Sequence, residues 1–218
     1  MKTEELIRTL AANTAPVRRL PHPALRAMVW LAISTVYVAG IVGIMGLRPD
    51  IAAKLGEPRF LVEVGAAYLT SMTAAAAAFC ASSPGRPLWE RFAPIPFLVV
   101  WLASLGEACW RSWLQSGPEG LALRPDLQCF PTILIVSIVP AVFIFVMVRR
   151  AAPIAPIITA ALATLAAAAL AAAALRLFHA QDASLMVLVW QFGSVALLAG
   201  IAALFGQYLL PWPRARVS

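Results

Sequence analysis

The sequence predicts an all-α membrane protein: a six-transmembrane-helix bundle behind a short cytoplasmic N-terminal arm. Three observations lead there. Of the 218 residues, 61% are hydrophobic and the mean hydropathy is +0.83, well above the roughly 45–50% apolar content of soluble domains. Six apolar runs lie at about 25–46, 60–82, 93–113, 130–148, 154–177 and 185–209, each near the ~20 residues that span a bilayer. The basic residues divide unevenly between alternate connecting segments, as membrane topology requires. The organisation is therefore an arm at 1–24, a membrane domain at 25–210 and a tail at 211–218.

The arm holds Lys2, Arg8, Arg18 and Arg19 against Glu4 and Glu5. Thr3 is placed to cap a short helix, with the two acids in its first turn, where they are favoured. Leu6, Ile7, Leu10 and Ala11 share one face at helical spacing. Asn13 and Thr14 weaken that helix and Pro16 ends it. Pro21 and Pro23 keep the next segment extended. The polar stretch is long and contains acids, so it does not read as a cleavable signal. A cytoplasmic partner would meet the arm on Leu6, Ile7, Leu10, Pro16, Val17, Arg18, Arg19 and Leu20. Burying the three large apolar side chains contributes ~5–8 kcal/mol. Ordering ten backbone residues costs ~10 kcal/mol or more, so the arm needs help from another surface. The alternative is a frayed tail whose charges only set topology.

The charges test the layout. With the arm inside, inner segments hold Lys2, Arg8, Arg18, Arg19, Arg26, Arg86, Arg91, Arg149, Arg150, Arg214 and Arg216. Outer segments hold Arg48, Lys54, Arg59, Arg111, Arg124 and Arg176. Eleven basic residues inside against six outside predict that both termini are cytoplasmic. Trp30, Trp89 and Trp212 fall near the inner interface, and Trp110 and Trp113 near the outer one. The net charge of +7 does not indicate nucleic-acid binding, because the charges sit in short clusters between apolar runs.

Within the spans, Ala39, Gly40, Gly43, Gly193, Gly200 and Gly206 are candidate sites of close helix approach. The fifth run is almost an alanine rod from Ala160 to Ala174 and is expected inside the bundle. Pro140 predicts a kink in the fourth. No transporter-like internal repeat is visible.

Few residues carry chemistry. Glu63 and Glu107 lie toward the outer ends of their helices and can pair with Arg59 and Arg111. No metalloprotease, nucleophile-elbow or phosphate-loop motif occurs, so the chain reads as a non-enzyme without a cofactor. Cys109 ends the third span and Cys129 begins the fourth, both near the outer face. A bond between them would close about 20 residues and stabilise by ~3 kcal/mol. The two thiols form a redox pair, join His179 and Asp182 on a soft metal, or pack as small apolar groups. Cys80 reads as packing.

The stretch EELIRTLAANTAPVRRLPHPALR resembles the opening of the NrsF-like proteins, bacterial six-span membrane anti-sigma factors. The resemblance falls on Leu6, Ile7, Leu10, Ala11, Pro16, Val17, Leu20, Pro23 and Arg26. Cys129 matches a family cysteine entering the fourth span. Before the last span the family tends to show His-Cys-x-Glu/Asp-x-Ser and then Trp-Tyr. This chain has His179, Ala180, Gln181, Asp182, Ala183 and Ser184, then Trp190 and Gln191. With alanine at 180, Cys129 lacks a family-type partner. The resemblance implies an inner-membrane protein that holds an extracytoplasmic-function sigma factor inactive and responds to oxidant or metal. The inner loops at about 83–92 and 149–153 and the tail from Pro211 would share the docking face with the arm, and Cys129, Cys109, His179 and Asp182 are the candidate sensing residues. A small transporter or channel, or a structural bundle, is the alternative.

Overall fold

The structure is a computed structural model and describes residues 3–12, 20–117, 129–151, 153–179 and 187–211. All regular structure among them is helical. The arm forms α1 (Thr3–Ala12); Asn13, Thr14 and Pro16, expected to weaken and end it, lie outside the described residues. Then follow α2 (Pro23–Met45), α3 (Ile51–Leu55), α4 (Pro58–Ala81), a 3-10 turn (Leu88–Phe92), α5 (Ile95–Ser116), α6 (Cys129–Arg149) and α7 (Pro156–Phe178). A π turn (Val187–Phe192), α8 (Gly193–Leu204) and α9 (Gly206–Leu209) complete the chain.

Proline starts several of these helices. It stands in the first two positions of α2, α4, α5 and α7, where its missing N–H costs nothing and its fixed φ suits a helix. His22 caps α2, its Nδ1 accepting from the Ala24 amide at 3.3 Å. Gly46 ends α2 at φ 79°, a conformation other residues avoid.

Among the described residues, five helices are long and apolar enough to cross a membrane. Helix α7 lies at the centre, with 72% of its most apolar window buried against 22% for α2. It packs most extensively on α4, then on α8 and α6. The expectation for the alanine rod is met: Ala166 to Ala169 are fully buried. The face of α4 toward it is also small, with Ala67, Ser71, Ala74 and Ala78 at helical spacing. Such side chains let helix backbones approach where lipid supplies no hydrophobic drive. Ser71 Oγ donates to the Ala166 carbonyl at 2.7 Å across this contact.

Several expectations are corrected. An added Cβ at Gly40, Gly43, Gly193 or Gly200 would meet nothing within 4 Å, and Ala39 is exposed. Close packing runs through alanines instead, because the glycines lie on outward faces. Of the predicted glycines only Gly206 is at a tight approach: an added Cβ there would lie 2.7 Å from Ile157 Cα and 2.8 Å from the Pro156 carbonyl oxygen. The sixth apolar run is helical but broken into three pieces. Its regular α-helical part, Gly193–Leu204, is 12 residues, short of the ~20 that span a bilayer. The break at Phe205 falls where Gly206 seats against the start of α7.

Trp30 is likewise no interfacial residue. It is fully buried, and its indole N–H donates at 2.9 Å to the carbonyl of Pro140 inside α6. Trp89, Trp110 and Trp113 are exposed, and Trp212 lies outside the described residues.

Candidate docking face and sensing end

The candidate residues fall at two ends of the bundle, the one where α2 begins and the one opposite. At the arm end, Leu6 and Ile7 are 41% and 58% exposed, and every described α1 side chain is exposed. Leu20 is also exposed. The Leu10 side chain, Pro16, Val17, Arg18 and Arg19 lie outside the described residues. An apolar stripe on a short helix covered by nothing is the form a helix-in-groove ligand takes.

The 3-10 turn at the same end carries Leu88, Trp89 and Phe92, all more than half exposed. Arg86 brackets it, paired with Glu90 at 2.9 Å. The connection at about 83–92 is expected to share in docking, but of these three side chains the sequence singles out only Trp89, as an interfacial residue. Their signal was a Trp and a Phe in a connection between spans.

Arg26 fixes where the arm leaves the bundle. It had counted as an inner flanking charge, but it lies within α2 and is 5% exposed. Its guanidinium donates to the Met147 carbonyl in the last turn of α6 and sits 4.5 Å from the centroid of Phe79, near the end of α4. A helix C-terminus offers unpaired carbonyls and a negative dipole end, so a cation is favoured there. The stack on Phe79 adds a cation–π contact. Arg149 performs a related task, donating to the Leu209 carbonyl at 2.9 Å and fastening α9 beside the same end.

At the opposite end the charges are organised differently. Glu63 does not pair with Arg59, the partner expected one turn away. Its carboxylate meets the Arg176 guanidinium of α7 at 2.7 Å, with side chains 2% and 8% exposed. Glu63 points along the buried face of α4, so the cation that shares its desolvated space holds it. Arg176, counted among outer connecting charges, is in the last turn of α7. Arg48 is 2% exposed and grips the Asp50 carboxylate with two bonds of 2.6 and 2.8 Å. Its amide donates to the Leu177 carbonyl at 3.0 Å. The expected Glu107–Arg111 pair is present on the exposed side of α5.

Among these groups lies a polar cavity of about 140 Å³ lined by Lys54, Glu57, Arg59, Phe60, Glu63, Ser112 and Arg176. Cys109, one turn before Ser112, carries a free thiol that is partly buried. His179 ends α7 at the same end, its amide bonded to the Leu175 carbonyl at 2.8 Å. Cys129 is the first residue of α6, but its side chain lies outside the described residues, as does Asp182. The structure thus places Cys109 and His179 at one end of the bundle. No group of three metal-ligating side chains occurs among the described residues. Where the family tends to have tyrosine, Gln191 is buried and its amide donates to the Ala172 carbonyl of α7.

A protein family described as NrsF, negative regulator of sigma F, matches residues 10–212. The chain belongs to the NrsF family. That membership makes it a negative regulator of a sigma factor, with a sigma factor as partner, and points to regulation rather than catalysis. The NrsF match begins within α1 and continues through α9, so it takes in the bundle as well as the arm. No curated protein and no solved structure matches the chain.

Proposed function

We propose that this NrsF-family protein is a membrane-bound anti-sigma factor. It sequesters an extracytoplasmic-function sigma factor at the cytoplasmic face of the bacterial inner membrane. It releases that factor on an envelope stress signal, an oxidant or a metal. The chain crosses the membrane six times with both termini cytoplasmic, the broken last run serving as the sixth span. The observation that carries the reading is the uncovered apolar stripe of α1 in a chain of a sigma-regulating family.

The partner docks on Leu6, Ile7 and Leu10, with Pro16 to Leu20 continuing the contact. The turn with Leu88, Trp89 and Phe92 supplies the second surface that the arm needs. A signal at Cys109, Cys129, His179 and Asp182 shifts helices packed on α7, and Arg26 carries that shift to the root of the arm through α6 and α4. A coupling of this kind needs two arrangements of the packed helices that the signal favours differently.

Affinity purification of the tagged, solubilised protein from its host tests the reading. A stoichiometric sigma factor is expected by mass spectrometry, lost after oxidant or metal treatment in the native chain and retained in Cys129→Ser. A preparation that carries no sigma factor contradicts sequestration. Equal release from the Cys129→Ser protein removes that thiol from the signal.

A further inference from the structure

We propose that the groove between α2 and α6 at the middle of the bundle binds a lipophilic quinone, with Ser34 as its polar ligand. The proposal rests on α2 and α6 being membrane spans and is independent of the sigma-factor reading.

The groove has a volume of about 420 Å³, and its lining includes Ser34 and Tyr37 of α2 and Pro140 and Phe143 of α6. Ile33, Val139 and Val142 form an exposed lip, so it opens sideways, where lipid would lie. Ser34 is 2% exposed, and its hydroxyl oxygen has no hydrogen-bond partner among the described residues. By contrast, Ser104, Ser137 and Ser194 each donate to a carbonyl about one turn back on their own helices. A buried hydroxyl without a partner is costly, and a ligand oxygen in the groove would satisfy it. The neighbouring Pro140 carbonyl is already taken by the Trp30 indole.

Depth, shape and polarity fix the class of ligand. Ser34 and Pro140 stand at the middle of their helices, which in spans of this length is near the bilayer midplane. A charged group is expensive there, so the ligand is neutral. Tyr37 and Phe143 offer two aromatic rings, against which a flat ring packs by face or edge. The volume suits a small molecule held in an apolar pocket with few polar groups. A quinone combines a flat neutral ring, a carbonyl oxygen that accepts from a hydroxyl, and an apolar tail that leaves through the lip. A phospholipid acyl chain brings no oxygen to this depth.

Thermal unfolding of the full chain in phosphatidylcholine nanodiscs tests the site. One titration uses decylubiquinone, and the other uses decylbenzene, which has the same tail and no oxygen. A saturable rise in Tm with decylubiquinone alone is expected. Ser34→Ala should weaken apparent affinity about fivefold, the loss of one neutral hydrogen bond. It should not lower Tm without ligand, because the hydroxyl has no partner to lose. Val142→Trp, on the exposed lip, should abolish the rise by filling the groove. No rise with decylubiquinone, or an equal rise with decylbenzene, overturns the proposal, the second result assigning the groove to acyl chains. A lower Tm of unliganded Ser34→Ala overturns the role of Ser34 as ligand. A dimer that Val142→Trp dissociates assigns the groove to a second copy and overturns the proposal as well.

Discussion

Arg48 and Arg176 reach the same Phe60 ring from two directions, and each brings its own carboxylate. The two pairs differ in solvent access. Glu63 is sealed with Arg176, whereas Asp50 is 44% exposed beside a buried Arg48. The hydrogen bond from Arg48 holds the Asp50 carboxyl below the usual carboxylate range. A depressed folded-state pKa contributes stability that is present above the unfolded value of ~3.9 and is lost as pH falls through the folded value. Asp50→Asn should therefore lower Tm at pH 7. The deficit should begin to shrink near pH ~4 and vanish once the native carboxyl is protonated. Thermal unfolding across that range checks it, and a deficit independent of pH would assign the loss to packing. Sequence spacing makes Arg59 the nearest partner for Glu63 but does not show which way the carboxylate points. Burial of the α4 face decides that, and it is a tertiary property.

At the scale of elements, α7 is the member on which the others are assembled, and this was legible. A run of alanine from 160 to 174 has too little side chain to fill space against lipid but allows neighbours to approach closely. Ala168 is fully buried. Ala168→Leu should destabilise the bundle by ~1–3 kcal/mol through overpacking, whereas Ala161→Leu, on a half-buried part of the helix, should cost less. Reversible unfolding in mixed micelles measures both, and equal costs would contradict the central position of α7. The last run was less legible. Its hydropathy is continuous from 185 to 209, but hydropathy is blind to hydrogen-bond phase. The π turn at Val187–Phe192 and the break before Gly206 interrupt that run, and at the second of them Gly206 seats against the start of α7. The glycines illustrate the same limit: composition marks Gly40, Gly43 and Gly206 alike, yet only the last meets a neighbouring backbone.

For the whole molecule, the sequence separates a basic arm from an apolar bundle. The spacing of Leu6, Ile7 and Leu10 marks an apolar stripe on α1, of which Leu6 and Ile7 are exposed. The connection at about 83–92 reads as an inner surface, but its sequence does not single out Leu88 and Phe92, whose exposure depends on how the turn sits on the bundle. Trp30 and Arg26 read as flanking residues by position, but both are buried where α2 crosses α6. They give the arm a fixed root, which a freely frayed tail would not require. The central claim is that this rooted arm supplies the docking stripe. The direct measurement is the affinity of a purified sigma factor for the full chain in nanodiscs, compared with the Leu6→Asp, Leu10→Asp double variant. Loss of an interface hot spot predicts weakening of about 30-fold or more, with insertion and Tm of the bundle unchanged. Undiminished affinity in the double variant would contradict the role of the arm and move the docking face to the loops.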